Sequence, residues 1–493
     1  MTDGSPYQVL RGGKLLDVPG RQVTEGDLLI EGPVIRELGP PGMAAPDGAR
    51  EIDARDRLII PGLINAHTHG HGSLSKGLGD KWSLELLLNA APWTNAGFTL
   101  EDKRIAAQLN AAEMVLKGCT AAYDMYFEFP TATPDGIAAI GQGYSDVGVR
   151  VVLAPMMADI TLFHAIPGLL EALPEPLRTR AAAMAAAPQT EHIAICRALL
   201  EGWSFGPDHV RPALGPTIPL HCTDAFLAAC RDLSAEFDVG LQMHLAESRL
   251  QAVAAETRYG RSLAAHLDGI GLLSERFTGA HGVWLDDADL DLVARRGAKI
   301  AHNPGSNLRL GSGIAPARKM RDREILVGIG TDGSGSSDNQ NMFEAMRLAS
   351  FVSRTQSPDP DDWLGTWEVL DMATEGSARV LGFGGEIGRI APGYKADLVL
   401  LDLGNVNFVP LNDAANQIVN CEDSSAVASV MIEGRTVLSE RRFTGFDYDA
   451  LRAKVAAAVE RLRRDNQATR ATAELMARYV QSHCVGLACR GHP

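Results

Sequence analysis

Apolar positions follow one rhythm at the two ends of this chain and another through its middle. In residues 1–60 the segments "QVLRGGKLLDV", "EGDLLIEGPVIREL" and "AREIDARDRLIIPG" alternate apolar with polar residues around glycine-containing bends, the period-two signature of short strands. The texture returns late, in "GEIGRIAPGYKADLVLLDL" and "SAVASVMIEGRTVLSERR". Either piece alone makes a poor domain, so residues 1–60 and 385–445 are expected to build one small β-sandwich together.

Residues 61–384 read differently. Eight short apolar runs, "GLINAHTH", "GCTAAYDMY", "VRVVLAPMM", "VRPALGP", "VGLQMHLAE", "FTGAHGV", "AKIAHNP" and "ILVGIGTDG", alternate with helical stretches such as "TLEDKRIAAQLNAAEMVLKG" and "TDAFLAACRDLSAEF". Strand–helix alternation predicts an α/β fold with a parallel sheet. A (β/α)8 TIM barrel, typically about 250 residues plus insertions, fits the span. Residues 446–493 form a helical tail ending in "SHCVGLACRGHP". The spacing of its His483, Cys484, Cys489 and His492 matches no common zinc pattern, and a partly frayed terminus is expected.

Composition narrows the class. The 493 residues suffice for a large core and more than one structural unit, and 45% apolar with 22% charged content is ordinary for a globular protein. Lys and Arg number 46 against 61 Asp and Glu, a net charge of −15. That acidity repels phosphate backbones and anionic membrane surfaces, so neither nucleic acid nor membrane is an expected partner. No apolar run approaches the ~20 residues of a membrane helix, and the N-terminus lacks the pattern of a secretory signal. Seven scattered cysteines fit reduced thiols. The expectation is a cytoplasmic protein acting on a small molecule.

The chemistry sits where the eight runs end, the face on which such barrels keep their active sites. His67 and His69 are two apart on one strand and share a face, so they could grip one cation together. A lone buried histidine is usually a hydrogen-bonded core residue. Two on one face of an apolar strand each need a polar partner. His71, past Gly70, is read as a pocket or loop residue. His244 closes another run and can complete a three-imidazole set, a ligand type suited to Zn²⁺ or Fe²⁺. Glu247, three residues on, is placed for proton transfer, or is simply an acidic residue at a helix start. His281 and His302 end two further runs. Asp332 lies in "TDGSGS", a carboxylate that could bind the metal and take a proton, or an ordinary turn.

The pieces "PGLINAHTH", "GCTAAYDMYF", "HLAES", "AHGVWL", "AHNPGSNLRLGSGIAP", "GTDGSGSSDNQNMFEAMRLA" and "GRIAPGYKADLVLLD" together resemble the amidohydrolase superfamily. Within it the chain is similar to the branch of S-adenosylhomocysteine and methylthioadenosine deaminases and triazine hydrolases. The resemblance implies a barrel flanked by a β-sandwich from both termini, and a homo-oligomer. It implies one divalent metal, zinc with iron(II) as the alternative, held by His67, His69, His244 and Asp332. It makes Glu247, His281 and Asp332 the catalytic groups. Binuclear relatives use a carboxylated lysine after the fourth strand, and "HVRPALGPTIPLHC" contains none, which favours a single ion.

The expected reaction is hydrolytic deamination of a purine-, pterin-, pyrimidine- or triazine-like ring by a metal-bound hydroxide. Asp332 takes the water proton, Glu247 protonates the ring nitrogen and His281 holds the water. Release of an amine or chloride from an N-substituted triazine, urea or amide is the alternative, and a non-catalytic binding protein a third reading. The nucleoside-type pattern fails at three places. Thr94 stands where a ribose-binding glutamate is expected, Gly215-Pro216-Thr217 replaces Gly-Pro-His, with His221 four residues on, and "VLAPMMADI" lacks an arginine. An adenosine derivative is therefore disfavoured. Trp82, Trp93 and Tyr126 either cover a flat ring or pack beneath a loop. Thr217 and His302 complete the expected substrate contacts, with His302 and Asn307 alternatively structural.

Overall fold

In the computed structural model of the protein, residues 6–489 are described. The eight apolar runs become Leu63–Thr68, Cys119–Phe127, Arg150–Met157, Val210–Pro212 with Gly215–Pro216, Leu241–Leu245, Phe277–His281, Lys299–His302 and Val327–Ile329. The first four form one parallel sheet and the last four another. A parallel bridge between Leu214 and Leu241 joins them on one side. On the other, the Asp332 amide donates to the His67 carbonyl at 2.9 Å. Strands enclosed on both faces carry apolar runs instead of alternation, and all six residues of Leu63–Thr68 are buried.

The intervening helices carry their own start signals. Thr99 and Asp102 form a capping box at the head of Leu100–Leu116, and Thr223 caps Asp224–Phe237 through the Phe226 amide.

The strands from both ends of the chain form one nine-stranded sheet. Its seam is the antiparallel pairing of Arg57–Pro61 with Leu398–Asp402. Val34, at the far edge, bridges to Lys395 beside that seam, so the sheet closes back on itself around Leu10, Leu28, Ile35, Leu398 and Met431. The expected two-ended β unit is thus present as a single curled sheet. Arg150 ties it to the barrel: it is wholly buried, with Nε 2.8 Å from Asp397 and Nη1 3.1 Å from Glu433.

The tail differs from expectation. Tyr448–Asp465 is followed by the 22-residue helix Gln467–Ala488, which buries Ala473, Met476, Val480, Cys484 and Leu487. Met476, Val480, Cys484 and Leu487 pack on Leu86, Leu162, Phe163 and Leu250. An apolar stripe of this length has a partner to cover, so Gln467–Ala488 is docked along its length. His483 bonds the Pro167 carbonyl at 2.8 Å; His492 lies outside the described residues. Among the described residues no helix is long and apolar enough to cross a membrane.

Candidate metal centre and active site

Three imidazoles converge at the C-terminal mouth of the barrel, and their outer nitrogens determine what the inner ones can do. His69 Nδ1 lies 2.7 Å from the Met125 carbonyl. His244 Nδ1 lies 2.7 Å from the Thr217 carbonyl. His67 Nδ1 is 2.7 Å from Gln242 Oε1, whose amide nitrogen is itself committed to the Ala66 carbonyl at 3.0 Å. Each Nδ1 faces an acceptor and must carry the proton, which leaves every Nε2 as a bare lone pair. Those lone pairs point together. His69 Nε2 and His244 Nε2 are 3.1 Å apart, and His67 Nε2 is buried with no partner.

Asp332 completes the ring, its Oδ1 lying 3.2 Å from His69 Nε2 and 3.6 Å from His67 Nε2. Ser306 donates to its Oδ2 at 2.6 Å, and the Gly333 amide to Oδ1 at 2.6 Å. Burial opposes its ionisation, but the imidazoles of His69, His67 and His281 and the Ser306 bond hold its carboxyl below the usual range. Burial, with the charge of His69, lowers His67 to about 3. With an acceptor at every Nδ1, the three Nε2 lone pairs and the Asp332 carboxylate face one point. A divalent cation fits that donor set, His₃ plus one carboxylate.

His281 and Glu247 stand beside the ring. His281 Nδ1 lies 2.9 Å from Asn307 Oδ1 and 3.5 Å from Asn303 Nδ2; the nearer acceptor takes the ring proton, which leaves Nε2 bare. That nitrogen is 3.7 Å from Glu247 Oε2 and 3.9 Å from Asp332 Oδ2. Burial, then the charges of Asp332 and Glu85, push the Glu247 carboxyl well above its ordinary value, which favours its protonated form. Two of these side chains are aimed by unusual backbone: His281 has φ 77° and Asp332 φ 64°. Left-handed conformations in non-glycine residues cost about 1–3 kcal/mol each and concentrate at functional sites.

A cavity of about 220 Å³ opens over this ring and reaches His69, His244, Glu247 and Asp332. Its walls are mostly apolar, with Leu84, Leu87, Leu88, Phe127, Phe163 and Ile218 prominent. Among the described residues no Lys or Arg lines it. Thr217 and His221 line it as well. The aromatic expectation is corrected. Trp82 and Trp93 make an edge contact with ring centres 6.3 Å apart, and neither lines the cavity. Trp82 packs into the apolar cluster under the C-terminal helix, and Arg470 of that helix lies 5.2 Å over Trp93. Tyr126 is buried in the barrel core with its hydroxyl on Glu128 at 3.0 Å. His302 is also off the cavity; it is wholly buried, and burial lowers it to about 4.

A profile of the amidohydrolase family matches residues 58–437. The chain belongs to the amidohydrolase family. A 5-methylthioadenosine/S-adenosylhomocysteine deaminase of Syntrophomonas wolfei is 32% identical over 446 residues, 89% of this chain and 95% of the relative. A 5'-deoxyadenosine deaminase of Methanobrevibacter smithii is 31% identical over 444 residues, 89% of this chain and 94% of the relative. Among solved structures, an adenosine deaminase of Xanthomonas campestris with bound zinc superposes with TM-score 0.82 at 28% identity, covering 92% of this chain and 98% of that one. The zinc complex of an atrazine chlorohydrolase from Arthrobacter aurescens gives 0.81 at 28%, covering 92% and 99%.

This amidohydrolase also uses polar residues that sequence reasoning passed over. Gln242 spans the barrel interior to orient His67. Ser306 orients Asp332, and Asn307, left between two readings above, orients His281. Asn65, Thr331, Gln340 and Thr68 share one buried network that locks the first strand to the last. Gly330 is needed there: a Cβ would sit 2.3 Å from Asn303 Oδ1 and 2.8 Å from the His67 amide. The signal for Gln242 was present in the sequence, a polar residue inside an otherwise apolar strand, two before His244.

Proposed function

We propose that this amidohydrolase deaminates an uncharged aminated nitrogen heterocycle, of purine-, pterin-, pyrimidine- or triazine-like class, using one zinc ion. The observation that carries the reading is the pairing of a ring of bare lone pairs with the buried, unpartnered Glu247 carboxyl on the floor of a cavity without a cationic wall. His67, His69, His244 and Asp332 would hold the ion. A divalent cation there supplies Lewis-acid chemistry that makes water nucleophilic at neutral pH.

The remaining steps belong to side chains. Glu247 donates its proton to the ring nitrogen beside the amino-bearing carbon, which increases that carbon's electrophilicity. Asp332 accepts a proton from the attacking water, and His281 Nε2 accepts a hydrogen bond from it while Asn307 fixes the imidazole. Asp332 then passes its proton to the departing amine, which leaves as ammonia. The hydroxyl proton left on the ring carbon returns to Glu247 as the carbonyl forms, so both carboxyls end as they began.

The relatives bearing adenosine-type names make the purine ring the first class to try, but the walls argue against their larger substituents. A charged amino-acid tail finds no cationic partner here. Thr94, at the position expected to grip ribose, turns its hydroxyl back toward the Ala90 carbonyl at 3.4 Å. A second reading, amine or chloride release from an N-substituted triazine, draws support from the apolar cavity and the likeness to the atrazine chlorohydrolase. In either case residues 61–384 carry the chemistry, while 1–60 with 385–445 and the tail 446–493 support it. The test is a product screen of zinc-loaded protein on cytosine-, guanine-, pterin-, adenosine- and aminotriazine-type compounds beside ureas and amides. Ammonia from the aminated rings is expected. Turnover confined to ureas or amides would overturn the reading.

A further inference from the structure

His71 lies two residues beyond the metal-ligand pair and has the opposite proton placement. It sits on the helical turn Gly70–Ser75, anchored by the Gly70 amide on Asp124 at 3.0 Å. A Cβ on Gly70 would meet Asp124 Oδ2 at 2.7 Å and the Tyr144 hydroxyl at 2.8 Å, so this close turn admits only glycine. The turn swings His71 to a ring-centre distance of 5.5 Å from His69 and 6.0 Å from Phe127. There the Phe127 backbone N–H donates to His71 Nδ1 at 3.2 Å. A backbone amide can only donate, so Nδ1 must be bare and the ring proton must reside on Nε2.

His67, His69 and His244 face acceptors at Nδ1 and offer lone pairs at Nε2. His71 faces a donor at Nδ1 and offers an N–H at Nε2. Among the described residues no group accepts that N–H, and His71 lines the cavity above the metal centre. That N–H is thereby available to a ligand bound in the mostly apolar cavity.

We infer that His71 is a substrate-positioning residue whose Nε2–H donates to an oxo group of the aminated heterocycle. The inference rests on the proposed function above and sharpens its substrate class. The ring should carry, besides the amidine under attack, an oxo group on the His71 side. It distinguishes 4-aminopyrimidin-2-one from 4-aminopyrimidine, and 2-aminopurin-6-one from 2-aminopurine.

Two measurements test it separately from the reaction itself. In nitrogen-15 spectra of the histidine side chains, assigned by loss of signal in His71→Asn, His71 should show a bare Nδ1 and a protonated Nε2. A protonated Nδ1 would overturn the inference whether or not any compound is turned over. The variants then cross. His71→Asn places an amide oxygen near the Phe127 N–H but removes the distal donor, whereas His71→Gln places an N–H near the Nε2 position and gives up the inner acceptor. On whichever oxo compound the wild type deaminates, His71→Asn should lose about tenfold or more in kcat/KM, chiefly through KM, and His71→Gln should retain most of it. Both should keep wild-type metal content and melting temperature. Equal losses in the two variants, or equal wild-type kcat/KM on oxo and deoxo partners, would overturn it. Absence of turnover on every aminated ring counts against the proposed function instead, and leaves the spectra to decide the inference.

Discussion

Two buried clusters of charge-bearing side chains sit at different places in this molecule and are completed in different ways. Arg150 meets Asp397 through two nitrogens, at 2.8 and 3.1 Å, and Glu433 through a third. Asp397 Oδ1 also accepts from the Glu433 amide at 2.8 Å. At the barrel mouth His67 Nε2, His281 Nε2 and Glu247 Oε2 are equally buried and have no partner. The first cluster is closed by protein alone and joins the curled sheet to the barrel. The second is complete only with something the chain does not supply. Buried polar groups are normally satisfied, so the contrast separates a structural cluster from a chemical one.

The largest expected effect is on the open cluster. Glu247→Gln should lower turnover by about 10²–10⁴-fold with metal content and melting temperature unchanged, read by ammonia release and elemental analysis. Removing one partner from the closed cluster should do the reverse. Arg150→Met should cost about 3–5 kcal/mol of unfolding free energy, measured by denaturant titration, while the folded fraction binds metal as the wild type does. Loss of metal from folded Arg150→Met protein would join what the comparison separates.

Smaller effects refine it. Ser306→Ala removes the donor on Asp332 Oδ2 and should weaken metal affinity about 10–100-fold, measured by competition with a chelator. The smallest effect is a pH dependence in the closed cluster. Burial raises the Glu433 carboxyl, but His209 and Arg150 outweigh it and hold the group at about 2, below its ordinary 4.5. A carboxylate lowered on folding contributes stability above its unfolded value and loses it as pH falls through the folded one. The melting-temperature gap between wild type and Glu433→Gln should therefore close as pH drops from 4.5 to about 2. A gap that widened on acidification would contradict the assignment.

How far the site was legible depended on which interactions are local. His67 and His69 alternate on a strand, and His244, His281 and Asp332 end successive runs, so periodicity alone brought them to one mouth. The turns that aim them were not legible: nothing in "GAHGV" or "GTDGS" announces left-handed backbone at His281 and Asp332. Gln242 and Ser306 act on residues far away in sequence, which only closure of the barrel reveals. The expected wall of Trp82, Trp93 and Tyr126 failed for a local reason. Within Leu84–Thr94 and the residue after it, Leu84, Leu87, Leu88, Ala91 and Asn95 recur at helical spacing and face the cavity. Trp93 sits out of that phase and turns toward the tail helix, with Trp82 beside it. The stretch 82–93 does reach the cavity, but through the aliphatic face of its helix and not through its flat side chains. The terminal sheet was legible as two strand-rich ends, but its closure through Val34 and Lys395 was not.

Metal content measured alongside turnover tests the central claim most directly. Purified protein should carry one divalent ion per chain, lose it and its ammonia-releasing activity together on chelation, and regain both with zinc while remaining folded throughout. Folded, metal-free protein that still turned over at the full rate would contradict the account.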